Sequence, residues 1–244
     1  KAGFNPPILV EEQAKPDPDF PTVSFPNPEE PGAIDLSIAK AKAVGADLVI
    51  ANDPDADRCA AAINDPKRGW RMLRGDEIGI LLGDWIARTN DGNYGNSIVS
   101  SSGLSKICKH YGRNFCETLT GFKYLAQIPN LAFAYEEAIG YSVDSATVAD
   151  KDGVSAAIAL AQLAEELAAK GQTIHDRLQE IWGIIGYHAT EQISIRVENI
   201  KLVGAVLKKF RTNPPKEIAG FAVTAIDDLA KPKNDLPPTD GLRI

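Results

Sequence analysis

Short apolar runs alternate with segments of helical period along most of this chain, and that alternation points to the α/β class. Ile34, Ile38 and Ala41 recur at helical spacing, and Gly45 stands where a helix C-cap belongs. Asp47-Leu48-Val49-Ile50-Ala51 follows, a short apolar run of the kind that forms a buried parallel strand. A second cycle begins with a predicted helix over Glu77 to Arg88, a strand at Ser97-Ile98-Val99 and a helix from Leu104 to Tyr111 ended by Gly112. Another strand is expected at Leu131-Ala132-Phe133-Ala134-Tyr135. The clearest helix runs from Gly153 to Lys170, with Val154, Ala157, Ile158, Ala161 and Ala164 on one face. Asp152 can cap its start and Gly171 its end. Thr173 with Asp176 forms a weak capping box opening one more helix.

The two ends differ from this middle. Half of the 16 prolines lie among the first 31 residues, so that segment is mostly extended loop, with room for one short strand at Ile8 to Val10. After Gly186, Ile193, Ile195 and Val197 alternate with polar residues as in a half-exposed strand; a helix near Ile200 to Arg211 and Pro214-Pro215 follow. Lys231 to Asp240 is a polar, proline-rich tail. Domain boundaries are expected near 88 and 190.

With 244 residues, 44% of them hydrophobic and 24% charged, the chain has an ordinary globular composition and the length of two domains or lobes. A chain this long hides roughly 70% of its unfolded surface and needs no staple. No stretch reaches the ~18 unbroken apolar residues of a membrane helix. A formal charge of -7 and a pI near 5.1 argue against a general nucleic-acid binder. Cys59, Cys108 and Cys116 have neither zinc-site spacing nor an even number, as in a cytosolic protein with reduced thiols. Lys1-Ala2-Gly3-Phe4 has no initiator Met and opens no signal peptide, so the true N-terminus is expected elsewhere.

The strongest chemical signal is Asp53-Pro54-Asp55-Ala56-Asp57-Arg58. Three carboxylates at alternate positions of an extended loop can point the same way, and crowding raises their pKa unless a cation compensates. Oxygen ligands without His or Cys suit a hard ion such as Mg2+, and Arg58 adds a cation able to fork onto a phosphate. An EF-hand would want Gly sixth and Glu twelfth, where this chain has Arg58 and Asn64. A phosphatase with an Asp nucleophile would have Thr or Val where Asp57 stands. A solvated acidic turn is the bland alternative.

Weaker signals follow. Tyr135-Glu136-Glu137-Ala138-Ile139-Gly140-Tyr141 places paired glutamates at a strand end, where they can accept hydrogen bonds from vicinal sugar hydroxyls; adjacent glutamates are more often a solvated surface. Asp150-Lys151-Asp152-Gly153 puts a lysine at a helix start, near a phosphate or a proton transfer, or merely between two aspartates of a cap. Glu117-Thr118-Leu119-Thr120-Gly121-Phe122-Lys123 offers a hydroxyl and an ammonium. Ser100-Ser101-Ser102-Gly103 reads as an N-cap run, and His110, His175 and His188 form no local cluster.

In this order, these motifs resemble the α-D-phosphohexomutase family, which includes phosphoglucomutases, phosphomannomutases and a phosphopentomutase-like branch. The loop Asp53 to Arg58 is similar to the family's Mg2+ loop, Glu136-Glu137-Ala138-Ile139-Gly140-Tyr141 to its sugar loop, and Lys151-Asp152-Gly153 to its Lys-Asp-Gly at a helix start. The Pro54 and Ala56 variant, with the Thr120-Gly121-Phe122-Lys123 turn, resembles the branch joining phosphoglucomutase with phosphopentomutase.

The resemblance implies two consecutive mixed-sheet α/β domains and part of a smaller α+β C-terminal domain. These are a metal-binding domain over 1–88, a sugar-binding domain over 89–190 and the start of a phosphate-binding domain over 191–244. It implies a reversible phosphoryl shift within a sugar phosphate, through an enzyme phosphoserine and a sugar bisphosphate. Asp53, Asp55 and Asp57 would hold Mg2+, and Arg58 would support the phosphoserine. Lys151 would lie near the reacting phosphate. Thr120, Gly121, Lys123, Glu136 and Glu137 would meet the sugar.

The chain departs from the family pattern in three places. Ala138 stands where many hexose-specific relatives have Ser. The Thr-Ala-Ser-His-Asn-Pro serine motif and the Arg-Pro-Ser-Gly-Thr-Glu-Pro phosphate loop do not occur in these residues. The chain is therefore expected to be a fragment, inactive alone. The competing reading is a non-catalytic module that binds sugar phosphate or metal.

Overall fold

The computed structural model describes residues 3–193, 195, 197–232 and 236–244. It divides into two compact units, residues 1–190 and 191–244.

The first unit opens with irregular, proline-rich chain. Ile8, Leu9 and Val10 belong to no strand, so the expected strand does not form, and a 3-10 turn at Glu11–Gln13 follows. Helix α1 (Asp35–Val44) ends at Gly45, whose left-handed φ of 69° turns the chain so that the Ala46 N–H reaches back to the Ala41 carbonyl at 3.0 Å.

Strand β1 (Leu48–Asn52) is where the apolar run predicts it, but it is not parallel. It pairs antiparallel with β2 (Cys59–Asp65), because the Asp53–Arg58 loop reverses the chain at once. Strand β3 (Gly69–Met72) completes a sheet of order β1-β2-β3. Ile34, Ala41, Val49 and Ala62 join α1 to this sheet in a small core.

Helix α2 (Gly75–Ala87) leads to β4 (Asn93–Ser97), α3 (Gly103–Tyr111), β5 (Phe115–Thr118), α4 (Phe122–Leu125), β6 (Leu131–Glu136) and β7 (Gly140–Ser142). The second sheet has the order β5-β4-β6-β7; β4 is parallel to β5 and β6, and β7 returns antiparallel to β6. The strand expected at Ser97 to Val99 lies four residues earlier. There Tyr94 to Ser97 are buried, whereas Val99 is exposed and the chain has left the sheet.

Helix α5 (Gly153–Ala168) forms as predicted, but its buried face is not the predicted one. Ala156, Leu160, Leu163 and Leu167 face the core, while Val154 and Ile158 are exposed at 53% and 41%. The leucines bury more apolar area than the alanines opposite, so they decide the helix rotation. Helix α6 (Ile174–Ile185) starts at a complete Thr173–Asp176 capping box.

One large core spans both sheets and helices α2, α3, α5 and α6. Phe133, Tyr135 and Tyr141 stack along it with centroids 6.0 and 6.3 Å apart. Their buried hydroxyls are satisfied: Tyr135 donates to Asp76 Oδ1 at 2.8 Å and Tyr141 to the Gly75 carbonyl at 3.1 Å. Buried Asp84 draws Arg88, Arg177 and the Tyr111 hydroxyl, tying α2, α3 and α6 together.

In the second unit, Ile193, Ile195 and Val197 lie outside any strand, and Ser194 and Arg196 of that expected strand lie outside the described residues. Helix α7 (Lys201–Thr212) precedes two hairpins, β8 (Glu217–Ile218) with β9 (Phe221–Ala222) and β10 (Asp227–Asp228) with β11 (Leu242–Arg243). Arg211 pairs with Asp228 and Asp240 at 3.1 and 2.7 Å. No helix among the described residues is long and apolar enough to cross a membrane.

Candidate functional site

The loop between β1 and β2 is built by its own backbone. Ala56 takes a left-handed φ of 58° and donates its N–H to the Asp53 carbonyl at 3.0 Å; Asn52 Nδ2 holds the Arg58 carbonyl at 2.8 Å. This turn gathers the carboxylates of Asp53, Asp55 and Asp57 so that one oxygen from each lies within 4.8 Å of the others. Asp53 is buried, Asp57 half-buried and Asp55 exposed.

Two cations offset part of the charge. Arg58 donates its N–H to Asp53 Oδ1 at 3.0 Å and Nε to Oδ2 at 2.5 Å, and Lys151 pairs with Asp57. Burial alone would raise the Asp53 pKa, but the Arg58 hydrogen bonds and charge hold it below the usual value. Lys151 stays cationic: burial works against its charge, but Asp57 first, then Asp150 and Glu136, push its pKa up. An all-oxygen set, already ionised at its buried member and open at Asp55, fits a hard divalent ion.

Helix α5 locks onto this loop. Asp152 caps it, accepting from the Val154 and Ser155 N–H groups at 3.1 and 3.2 Å, and the Gly153 N–H reaches the Ala56 carbonyl at 3.0 Å. A Cβ at Gly153 would overlap the Arg58 carbonyl, so glycine is required by close approach.

The Lys-Asp-Gly segment joins the second sheet as well, since Asp152 N–H donates to the Tyr141 carbonyl at 2.8 Å. Arg58 bridges Gly140, and the Cys59 N–H reaches the Ile139 carbonyl at 3.0 Å. The acidic loop, Lys151 and the β6–β7 turn therefore form one assembly.

At the end of β6, Glu136 Oε1 accepts the Gly121 N–H at 2.5 Å, and Gly121, with a φ of 119°, starts α4. Burial raises the Glu136 pKa, Gly121 opposes this, and neighbouring Glu137 adds to it. Thr120 is exposed on the same turn, and the Lys123 ammonium rests 5.0 Å over the Tyr124 ring.

The structure thus joins Asp53, Asp55, Asp57, Arg58, Lys151, Glu136 and Gly121 through direct contacts or shared charge. Thr120 and Lys123 sit beside them on the loop. Glu137 turns to other partners, the hydroxyls of Ser97 and Ser100 at 3.2 and 2.9 Å. In the expected N-cap run, Ser101 Oγ accepts the Gly103 N–H at 3.1 Å and Ser102 makes no side-chain cap.

Sequence reasoning missed Asn27 and Glu29. Asn27 Oδ1 accepts Arg58 Nη1 at 3.4 Å. Glu29 is exposed as a residue, but its carboxyl end is desolvated; that holds its pKa above the ordinary value, with Arg58 pulling it down and Glu137 pushing it up. Buried Pro28 between them has only its place in a proline-dense segment as a sequence signal. The histidines stay apart: His175 lies 3.3 Å from Asp65, and His188 lies 3.4 Å from Ser101. Burial pushes the Cys59 and Cys108 thiols up to about 12, as expected of structural cysteines.

Residues 1–69 match the family model of phosphoglucomutase/phosphomannomutase alpha/beta/alpha domain II, and residues 74–184 match that of domain III. The chain is 45% identical to a protein named "Probable phosphomannomutase" from Haemophilus influenzae, over 95% of this chain and 48% of that protein. It is 40% identical to phosphopentomutase of Homo sapiens over 96% and 42%, and 37% identical to phosphoglucomutase of Staphylococcus aureus over 92% and 43%. The chain spans about half the length of the curated relatives it matches. Among solved structures, a phosphoglucomutase/phosphomannomutase family protein from Burkholderia thailandensis shares the fold with a TM-score of 0.60 at 18% identity, over 82% of this chain and 41% of that one.

Proposed function

Because the chain belongs to the α-D-phosphohexomutase family of phosphoglucomutases and phosphomannomutases, we propose that it is the metal- and sugar-holding part of a sugar-phosphate mutase. The reaction would move a phosphoryl group between two hydroxyls of one hexose or pentose phosphate by way of an enzyme phosphoserine and a sugar bisphosphate. The observation that carries this reading is the single assembly linking the three-carboxylate loop to Glu136 through Lys151 and the Arg58–Gly140 bridge.

Asp53, Asp55 and Asp57 would hold Mg2+. When bound, the ion supplies neutralisation of the negative charge on the transferred phosphoryl oxygens. Arg58 carries a planar donor set beside the loop, suited to a phosphoserine presented there. Lys151, kept charged by Asp57, is suited to meeting phosphate oxygens as a cation; its raised pKa disfavours a base role at neutral pH. Glu136, with Thr120, Gly121 and Lys123 on the facing turn, would receive sugar hydroxyls. Ala138 is exposed in this loop and offers no hydroxyl of its own.

In this reading residues 1–88 carry the metal loop, 89–190 the sugar residues, and 191–244 open a domain for the distal phosphate. The reduced thiols suit a cytoplasmic enzyme.

The test is a coupled assay on the product of the complete reading frame, with glucose 1-phosphate, mannose 1-phosphate and ribose 1-phosphate side by side. Mg2+-dependent turnover of at least one, abolished by Asp55→Asn, is expected. Binding without turnover of any would overturn the proposal in favour of a non-catalytic module. The 244-residue chain alone, lacking the Ser-His-Asn-Pro nucleophile context, is expected to show no turnover.

A further inference from the structure

The family resemblance gives both adjacent glutamates to the sugar; the geometry divides them. Glu136 Oε1 takes the Gly121 N–H, on the side of the Thr120-Gly121 turn. Glu137 Oε2 instead accepts from two hydroxyls, Ser97 Oγ at 3.2 Å and Ser100 Oγ at 2.9 Å. The two hydroxyls lie 2.9 Å apart, and Ser100 Oγ also accepts the Glu137 N–H at 3.1 Å. Glu137 is therefore gripped at both backbone and side chain by the turn that follows β4. Ser97 is fully buried, so that turn is anchored in the core.

The β6–β7 turn, residues 137–139, is crowded from behind. A Cβ at Gly75 would overlap the Glu137 carbonyl, and the Tyr141 hydroxyl holds the Gly75 carbonyl at 3.1 Å. Ile139 sits at a left-handed φ of 56°, a conformation a β-branched residue keeps only when its surroundings impose it.

We propose that Glu137 is a positioning residue: its double contact with Ser97 and Ser100 clamps the β6–β7 turn and so fixes the carboxylate of Glu136 for the sugar. This rests on the mutase reading for what Glu136 does, but not for the clamp itself. A hydroxyl-filled acceptor is poorly placed to serve as a sugar ligand, whereas a fixed turn spares Glu136 the ordering cost at each binding event. Ser97 and Ser100 thereby join the working parts of the site, some forty residues from it in sequence.

Two measurements test this. The first is a thermal-stability cycle on the 244-residue chain with Ser100→Ala, Glu137→Ala and the double variant. The clamp predicts that the double variant loses less than the sum of the two single losses, because the Ser100–carboxylate contact is counted in both and only the Ser100 contacts to the Glu137 N–H and Ser97 remain after Glu137→Ala; additive losses would overturn it.

The second is kinetics of the complete protein with whichever of the three 1-phosphates it turns over fastest. Ser100→Ala and Glu137→Ala should each raise KM about three- to tenfold with kcat within about twofold, as expected when one side chain must be ordered anew on binding. Glu137→Gln should restore a near-parental KM, because its amide oxygen accepts the same two hydroxyl protons. A Glu137→Gln variant as damaged as Glu137→Ala would mean that the carboxylate itself meets the substrate, and would overturn the proposal. If the parent turns over none of the three sugars, the mutase reading falls while the stability cycle still decides the clamp.

Discussion

The acidic hairpin and the β6–β7 turn place carboxylates at one site by opposite means. The hairpin is local: Asp53 to Arg58 are contiguous, and Asn52, Asp53, Ala56 and Arg58 supply most of the hydrogen bonds that shape the loop. The β6–β7 turn is non-local: Glu136 depends on Gly121, Glu137 on Ser97 and Ser100, and the backbone on space left by Gly75. A locally encoded site can present an exposed carboxylate such as Asp55 without help. A non-local one must be stapled, and its staples come from segments 15 to 40 positions away in sequence.

This contrast can be broken first where the hairpin leans on something distant. Gly153→Ala would press a methyl group into the Arg58 and Ala56 carbonyls. Overpacking of this kind costs about 1–3 kcal/mol or more, lowering Tm by roughly 2–12 °C in a chain of this size. Differential scanning fluorimetry checks it, and an unchanged Tm would show the hairpin to be independent of α5.

Next, Asp55→Asn should weaken Mn2+ or Mg2+ binding at least about tenfold, since loss of an outer-shell partner alone already costs that much. Stability should stay within about 0.5 kcal/mol of the parent because Asp55 is exposed. Calorimetry and a melting curve on one sample separate the two effects.

Glu136→Gln sharpens the contrast from the other side. In the complete enzyme it should lower kcat/KM by about ten- to a hundredfold, the worth of a charged hydrogen bond of roughly 1.5–3 kcal/mol. Mn2+ affinity at the hairpin should remain within about twofold. Equal damage to both would mean that the two loops act as one metal site.

The smallest effect lies at the far end of β2. Buried Asp65 accepts the Lys67 and Arg68 N–H groups at 2.9 and 3.2 Å and Arg71 Nε at 3.1 Å. Burial opposes its ionisation, but these bonds and His175 outweigh it and set its pKa at about 2. A depressed carboxyl stabilises the fold above its ordinary pKa near ~3.9 and loses that contribution as pH falls through about 2. Acid titration of Tm should therefore be steeper between about pH 4 and pH 2 for the parent than for Asp65→Asn.

The same division explains what was legible in the sequence. The metal-type loop, the Asp152 cap, Gly45 and Gly112 were readable because each is decided within a few residues. Strand direction was not: Leu48 to Ala51 has a parallel strand's composition, but its partner is set by the turn after it. The rotation of α5 followed leucines whose pull depends on which core they meet, and Val154 and Ile158 gave no hint of it. Asn27, Ser97 and Ser100 entered the site only through folding, as hydrogen-bond partners 31 to 40 positions from the residues they serve.

The central claim is that one loop holds the metal and a separately built turn holds the sugar beside it. An anomalous difference map from crystals grown with Mn2+ and glucose 6-phosphate tests it most directly. The account predicts one Mn2+ peak coordinated by Asp53, Asp55 and Asp57, with sugar hydroxyls on Glu136 and none on Glu137. A peak elsewhere, or a sugar seated away from the Glu136–Gly121 contact, would contradict it.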